Sequence, residues 1–244
     1  EDVKNHIPHV SKNILAAAYC PGEGKINPML ATPTLAKEAE RLGTKYNLET
    51  TVLSIEKEKH YFLVKTNRGV IKSKYLVNAA GGWSSKITEM LGIKMPVLSA
   101  PQQMIVTESS VPIIPSMISH AHRHLTMKQI KNGNLIIGGG WFAGYNKKMN
   151  RTFNYRNAIS GNLWVAQRVI PSIGHLSILR TWATVGVMID GAPILGETPG
   201  TKNFYQAVGA NGYTMAPVMG NIISDLIKGK SPDIDIESFS LNRF

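Results

Sequence analysis

A glycine-rich segment near the end of the chain, "FYQAVGANGYTMAPVMGNIISDLIKG", has the residue types and spacing of an anion-binding turn. Residues 203–208 are predicted to form a strand, and Gly209, Asn211 and Gly212 suit a tight turn or a close backbone approach. Apolar residues then recur at helical spacing, with Thr214 interpreted as the N-cap. A helix start presents free N–H groups and about half a positive charge, so it would stabilise the electron-rich edge of a ligand. Packing alone can also place a helix after a glycine turn.

A second unit of the same kind lies earlier, in "KYLVNAAGGWSSKITEMLG". Residues 75–79 are largely apolar without alternation, as expected for a strand that is buried on both faces. Gly81 and Gly82 break this strand, and Ser84 or Ser85 can cap a short helix. The sequence therefore contains two strand–turn–helix units that are far apart along the chain.

Other elements must position these two units. A helix is predicted over residues 28–42, with Asn27 as its cap, Pro28 in its first turn and an apolar face. Short strands are predicted at 45–48, 51–57, 61–66 and 69–73. From residue 96 to residue 180 prolines punctuate short strands, "KNGN" at 131–134 indicates a hairpin turn, and a helix is expected at about 155–169. This middle part is interpreted as an inserted antiparallel domain.

Composition is that of an ordinary globular protein, with 43% apolar and 18% charged residues among 244. The net charge of +11 arises mainly between residues 109 and 189, where nine Lys and Arg occur and no Asp or Glu. This region is either a solvated basic surface or a surface that meets anions: a carboxylate substrate, an acidic subunit or nucleic acid. No nucleic-acid-binding motif accompanies it, so we predict no nucleic-acid partner.

Cys20 is the single cysteine, and no apolar run approaches the ~20 residues that cross a bilayer. We therefore expect a cytoplasmic protein without a membrane partner. His120, His122 and His124 alternate without a nearby carboxylate or thiol, and we predict no metal site. "GGGWFAG" at 138–144 is interpreted as a sheet edge or loop, because no acidic residue follows about 20 positions later.

Four segments occur in the order of a known family: "INPMLATPTLAKEAERLG", "VNAAGGWSS", "DGAPILGETPGTKNFYQAVGANGYTMAPVMGNIISDLIKG" and the terminal "FSLNRF". The chain resembles the FAD-dependent D-amino-acid-oxidase-like (DAO) family, which includes glycine oxidase, the sarcosine oxidase β subunit and opine-oxidase-type subunits. The resemblance implies an α/β (α+β) fold, in which an incomplete, discontinuous, Rossmann-like FAD-binding domain is interrupted by an antiparallel-sheet substrate domain. The implied segments are residues 1–98 (FAD-binding part with an N-terminal linker), 99–180 (substrate domain) and 181–244 (return to the FAD-binding domain and tail).

The resemblance also implies FAD as cofactor and assigns residues to it. In the family's pattern, one backbone position contacts the adenine, one turn forms the wall near the ribose and pyrophosphate, and one loop contacts the pyrimidine edge of the flavin. The matching positions are Val52 for the adenine, Ala79, Ala80, Gly81 and Trp83 for the wall, and Gly209, Asn211, Gly212, Tyr213 and Thr214 for the flavin.

The activity implied by the resemblance is oxidation of a C–N bond of an amino acid, N-methyl amino acid or opine-like amine by hydride transfer to flavin. Glycine-oxidase-like members have an Arg that clamps the substrate carboxylate, but "WATVGVMIDG" places Gly186 and Val187 in that neighbourhood. Arg180 or Arg123 is the candidate to bind the small anionic substrate instead.

The family's G-x-G-x-x-G βαβ unit does not occur in this sequence. We therefore expect the chain to be the C-terminal part of a longer flavoprotein that is completed by an N-terminal segment or another subunit. The alternative is a non-catalytic fragment or subunit that binds no flavin and acts through its basic middle domain.

Overall fold

Helices and strands alternate irregularly along the computed structural model, which describes residues 2–146 and 148–244. The helices are α1 (Asp2–His6), α2 (Pro28–Arg41), α3 (Ser84–Glu89), α4 (Arg156–Val169) and α5 (Gly212–Ile227). The strands are β1 (Val52–Lys57), β2 (Phe62–Thr66), β3 (Gly69–Ser73), β4 (Leu76–Asn78), β5 (Leu98–Ser109), β6 (Ile118–Ser119), β7 (Thr126–Gln129), β8 (Asn134–Gly138), β9 (Gly144–Asn146), β10 (Arg151–Phe153), β11 (Ile178–Met188), β12 (Ile194–Glu197) and β13 (Phe204–Val208).

The contacts between residues divide the chain into two units. The first contains the residues up to Lys45 together with Pro101–Thr184, and the second contains Tyr46–Ala100 with Val185–Phe244. The units change after Ala100 and after Thr184, whereas the sequence-based segments were drawn at 98 and 180. The residues up to Lys45, however, group with the middle segment, because Ser11 N–H donates to the Val169 carbonyl (2.8 Å) and Lys25 Nζ to that of Gln129 (2.7 Å). The functional assignment of the three segments stays a prediction.

An antiparallel sheet forms the first unit, as the sequence predicted for the middle segment. Its strand order is β11-β5-β8-β7-β6, and the turn between β7 and β8 lies at the predicted "KNGN" hairpin. Alternate residues of the sheet point to one face and pack against α4, whose Val165 and Val169 are one turn apart. The sheet side of this core is built by Ile105, Met127, Leu135 and Ile137, none of which is measurably exposed.

Two small sheets and α5 form the second unit. The first sheet is the antiparallel meander β1-β2-β3, where the predicted strands after residue 50 are confirmed. The second has the order β12-β13-β4; β12 and β13 are antiparallel, whereas β13 and β4 run parallel with Tyr205 opposite Val77. Met219, Ile222 and Ile223 of α5 pack onto Leu195 and Tyr205 of this second sheet.

One predicted strand was wrong, and one predicted helix was confirmed with its apolar face exposed. The predicted strand at 45–48 is an irregular turn, because the chain reverses at Glu49, whose φ is 53°, and the side chain of Asn67 donates to the Glu49 carbonyl. The helix over 28–41 forms and is capped by Asn27, but none of its residues is buried. Its apolar face, with Met29 79% and Leu35 66% exposed, contacts no core in the described part of the chain.

No helix within the described residues is both long and apolar enough to cross a bilayer.

An arginine near the C-terminus holds the loop before β12. Arg243 forms a bidentate pair with Asp190, with Nε–Oδ2 and Nη2–Oδ1 distances of 2.9 Å, and its guanidinium also donates to the carbonyls of Ala192 (3.1 Å) and Pro193 (3.0 Å). Hydrogen bonds from Arg243 lower the pKa of the Asp190 carboxyl from 3.8 to about 2, which outweighs the opposite effect of its desolvation. The bidentate geometry fixes the loop as well as the charge.

We expect Asp190→Asn to lower the melting temperature by a few degrees at pH 7. Because the folded-state pKa lies below the unfolded one, the stabilisation is fully present above about pH 4 and is lost as the pH falls toward 2. Thermal melts of the variant and the parent protein between pH 7 and pH 3 should therefore converge as the pH falls. Glu38→Gln is the matched control, since it breaks an exposed ion pair on α2 and should change little at any pH. A constant difference across the pH range would contradict this role of the carboxylate.

Candidate cofactor-binding site

A groove of about 400 Å³ in the second unit lies beside α5, at the carboxyl ends of the parallel strands β4 and β13. Ligands of open α/β sheets bind in crevices outside the carboxyl ends of their strands. Backbone and small apolar side chains make up most of the wall. The lining residues are Val77, Ala79, Gly81, Ala207, Val208, Gly209, Gly212, Ala216, Met219, Gly220 and Ile223.

Small residues spaced four apart leave one face of α5 without large side chains. Gly212, Ala216 and Gly220 lie on successive turns of the helix and therefore share a face. A Cβ added at Gly212 or Gly220 would meet no other atom within 4 Å, so these glycines leave space rather than permit a contact. The groove could receive a flat ligand along this stripe.

Gly209 has a different role, because a Cβ there would lie 3.2 Å from Cβ of Pro193. The sequence left open whether this turn needs a positive φ or a close approach. Close approach explains Gly209, whose φ lies outside the left-handed region, and Asn211 has a φ of −97°.

The start of α5 provides two free backbone donors. The helix begins at Gly212 after Asn211, so Thr214 lies within the first turn and the N-cap expected there was wrong. Gly212 N–H donates to the Gly209 carbonyl and Met215 N–H to that of Asn211, both at 3.1 Å. Within the described residues, no acceptor lies at the N–H groups of Tyr213 and Thr214, and no side chain caps the helix. These donors and the helix dipole favour an electron-rich group at this end.

The turn after β4 is packed tightly against Val185 and Gly186, the residues of β11 that belong to the second unit. Gly81 has a φ of +56°, which glycine tolerates best, and it opens a short 3-10 turn that ends at Trp83. A Cβ on Gly82 would lie 2.6 Å from Cγ1 of Val185 and 2.9 Å from the Gly186 carbonyl oxygen. Ser99 Oγ donates to the Gly82 carbonyl at 2.7 Å. The backbone of this turn is therefore fixed beside the groove.

Buried amides tie the two parallel strands together directly below the groove. Asn78 and Gln206 are 2% and 1% exposed, and Nδ2 of Asn78 donates to Oε1 of Gln206 at 2.9 Å and to the Ser84 carbonyl at 3.1 Å. Oδ1 of Asn78 accepts from Ala80 N–H (3.2 Å), and Nε2 of Gln206 donates to Oγ1 of Thr198 (2.8 Å). Such a satisfied network specifies which residues of β4 and β13 face each other.

Four of the ten residues expected to bind FAD line the groove, namely Ala79, Gly81, Gly209 and Gly212. Five others lie in the same two glycine turns or in the first turn of α5 without lining the groove: Ala80, Trp83, Asn211, Tyr213 and Thr214. Val52 begins β1 and packs beside Ile55 and Phe62, in the other sheet of the unit. The helix stripe of Ala216 and Gly220 was missed, although its four-residue spacing of small residues was visible in the sequence.

Arg180 and Arg123, the candidates for the substrate carboxylate, both belong to the first unit and are exposed. Arg180 lies on β11, and the guanidinium carbon of Arg123 is 5.2 Å from the ring centroid of Trp164. Their role in binding a substrate stays a prediction.

The histidines at 120, 122 and 124 lie in and beside a bend, where Nδ1 of His120 accepts from the N–H groups of His122 and Arg123. No group of three metal-ligating side chains occurs in the part of the chain that the structure describes. "GGGWFAG" is the loop between β8 and β9, as interpreted from the sequence.

A parallel strand pair that ends in two glycine turns beside a helix start, in a chain that also forms antiparallel sheets, defines a mixed α/β fold. The chain belongs to the FAD dependent oxidoreductase (DAO) family, whose profile matches residues 1–226. This confirms the family resemblance and the fold class predicted from the sequence.

Individual relatives agree with this assignment. The chain is similar to the sarcosine oxidase β subunit of Rhizobium meliloti, with 31% identity over 191 residues covering 74% of this chain and 43% of the relative. It is similar to glycine oxidase of Bacillus subtilis, with 26% identity over 249 residues covering 100% of this chain and 65% of the relative. Among solved structures, L-proline dehydrogenase of P. horikoshii has a TM-score of 0.90 at 30% identity, covering 100% of this chain and 67% of that one. The chain thus spans about half to two thirds of the length of the curated relatives it matches.

We expect Asn78→Ala to lower the free energy of unfolding by about 1–3 kcal/mol, because it leaves the buried amide oxygen of Gln206 and the part-buried N–H of Ala80 without a hydrogen bond. In the Asn78→Ala/Gln206→Ala double variant the loss should be smaller than the sum of the two single losses, since both remove one shared bond. Urea denaturation measures all three. Asn221→Ala is the control on the exposed side of α5, where the change should stay within about 0.5 kcal/mol. Strict additivity would contradict the proposed coupling between the two strands.

Proposed function

We propose that this chain holds the flavin of an FAD-dependent oxidoreductase that oxidises a C–N bond of an amino acid, an N-methyl amino acid or an opine-like amine. The observation that carries the proposal is the start of α5, where the N–H groups of Tyr213 and Thr214 have no acceptor among the described residues. Membership of a family of FAD-dependent oxidoreductases supports the choice of cofactor.

The residues of the groove fit such a cofactor in three ways. Gly212 and Gly220 leave room for a planar ring along α5, and the mostly apolar walls exclude water from its faces. The turn at Gly81 brings backbone close to the same space. The free N–H groups at the helix start would donate to the carbonyl edge of the ring.

FAD, when bound, supplies the two-electron acceptor for substrate oxidation. This chain's contribution is electrostatic: the start of α5 stabilises negative charge that develops on the ring edge during reduction. The donors are backbone groups fixed by the helix, so they need little reorganisation when the charge appears.

The proposed substrate is a small amine that carries a carboxylate. The names of the relatives support this, because sarcosine, glycine and proline are small amino acids. The region from 109 to 189 has no acidic residue, which suits an anionic substrate, and Arg180 and Arg123 remain the candidates to bind its carboxylate.

We also propose that a further segment or another protein chain completes the active flavoprotein. No G-x-G-x-x-G unit occurs in this sequence. The apolar face of α2, including Met29, Leu30 and Leu35, is exposed in the described structure and offers surface for that part. Some relatives are themselves named as subunits, as in the case of an opine oxidase subunit of Agrobacterium tumefaciens.

We expect the purified chain to bind FAD stoichiometrically. We expect Gly212→Asp to raise the Kd for FAD by about tenfold or more, which corresponds to about 1.4 kcal/mol of binding free energy. The new carboxylate would enter the groove and occupy the helix start that the ligand needs. Flavin fluorescence and the visible spectrum report both. Gly24→Asp is the matched control, because its side chain would also enter open space but in the first unit. If the folded chain binds no FAD, the flavin-holding proposal fails for this chain and the non-catalytic alternative is favoured.

Gly220→Ala separates stability from binding. Gly costs a helix interior about 1 kcal/mol relative to Ala, so the variant should be more stable in urea by up to that amount. The added methyl group narrows the groove, so its affinity for FAD should fall. A variant that is more stable and binds FAD as well as the parent chain would contradict the assignment of this groove.

A further inference from the structure

A second groove, of about 380 Å³, lies in the first unit between the N-terminal segment, the bend at 120–123 and the end of α4. Its walls combine charged, aromatic and apolar side chains. The lining residues are Ser11, Asn13, Ile14, His120, Arg123, Trp164, Val165, Gln167, Arg168, Val169 and Pro171. The flavin proposal uses this groove for nothing beyond the candidate role of Arg123.

Two guanidinium groups converge on one indole in this groove. The guanidinium carbon of Arg168 lies 4.2 Å from the ring centroid of Trp164, and that of Arg123 lies 5.2 Å from it. Arg168 reaches the ring because it lies one turn after Trp164 on α4. Cation–π attraction holds both positive charges near the same ring.

The bend that carries Arg123 is itself fixed. Nδ1 of His120 accepts from the N–H groups of His122 (3.2 Å) and Arg123 (3.1 Å). On the opposite wall, Ser11 is nearly buried and its N–H donates to the Val169 carbonyl at 2.8 Å. Defined contacts therefore fix both walls of the groove. The guanidinium groups of the groove are positioned before a ligand binds, which lowers the entropic cost of binding.

Neither guanidinium has an anionic partner among the side chains that the structure describes. Among the side chains of residues 3–146 and 148–244, the ion pairs are Glu38–Arg41, Glu49–Arg68 and Asp190–Arg243, and no hydrogen bond from the guanidinium of Arg123 or Arg168 is found. The sequence places no Asp or Glu between 109 and 189. Two like charges that share one ring repel each other, and a carboxylate between them would convert this repulsion into two charge-assisted hydrogen bonds.

We propose that this groove is a docking site for an acidic segment of a partner protein. Carboxylates of that segment would bind Arg123 and Arg168, while an adjacent apolar side chain would pack against Ile14 and Pro171. Trp and Arg are the side chains most enriched at the energetic centres of protein interfaces, and Trp164 is 45% exposed here. Nucleic acid fits less well, because it needs a row of phosphate contacts, whereas this site concentrates two cations around one aromatic ring.

The test is calorimetric titration of the 244-residue chain with a short blocked peptide of alternating glutamate and leucine, and with its glutamine counterpart. We expect the acidic peptide alone to bind, and more weakly as salt rises from about 50 to about 200 mM. Arg123→Ala/Arg168→Ala should weaken the binding roughly tenfold or more. Arg151→Ala/Arg156→Ala is the matched control, since it removes two exposed positive charges from the same unit and should leave the affinity within about twofold.

Arg123→Lys/Arg168→Lys tests the geometry, because lysine keeps the charge but lacks the planar, bidentate group. We expect it to restore only part of the affinity. Equal loss in both alanine double variants would mean diffuse charge attraction and would overturn the site. Absence of binding to the acidic peptide would overturn it too. If a single-stranded oligonucleotide binds more tightly than the acidic peptide, and if this binding depends on Arg123 and Arg168, then the ligand of the groove is nucleic acid and the proposal of a protein partner is wrong. None of these outcomes depends on FAD binding by the second unit.

Discussion

The parallel pairing of β4 with β13 is the constraint on which the candidate site depends. The two strands are separated by more than half the chain, yet Gln206 lies directly opposite Asn78 and their side-chain amides form a buried hydrogen bond. This pairing brings two glycine turns to the same edge of one sheet. A shift by one residue would reverse which side chains face α5 and would leave both amides without partners. The groove therefore exists only because a long-range contact fixes the register.

Arginine is used differently in the two units. In the second unit, Arg243 binds the Asp190 carboxylate and two carbonyls, so that a single charged group fixes the loop before β12. In the first unit no carboxylate side chain occurs between residues 109 and 189, and Arg123 and Arg168 rest on an aromatic ring instead. A guanidinium on an indole keeps its N–H edge available, whereas one in a bidentate pair does not. The bidentate pair of Arg243 suits a structural role, whereas the guanidinium groups on the Trp164 ring suit recognition.

Local pattern was sufficient to predict much of the fold. Both strand–turn–helix units, the hairpin at 131–134 and the helix near 156–169 follow from periodicity and turn residues. The direction of pairing between β4 and β13 could not be read from the sequence, because it depends on contacts across more than half the chain. The apolar face of α2 shows a related difficulty. Its pattern indicates that the helix can bury one face, but the pattern does not say what covers it, and nothing in the described structure does.

The site was predictable to the extent that glycine marks it, and the structure separates two reasons for a glycine. At Gly82 a Cβ would lie 2.6 Å from Cγ1 of Val185, so the packing leaves no room for a side chain. At Gly209 a Cβ would lie 3.2 Å from Cβ of Pro193, a tight contact that favours glycine. At Gly212 and Gly220 a Cβ would meet nothing within 4 Å. Gly220 lies inside a helix, where glycine lowers stability by about 1 kcal/mol relative to alanine and no packing contact compensates. A glycine that lowers helix stability without a packing advantage indicates a functional advantage. At Gly220 that advantage would be the open space beside α5, which a ligand could occupy.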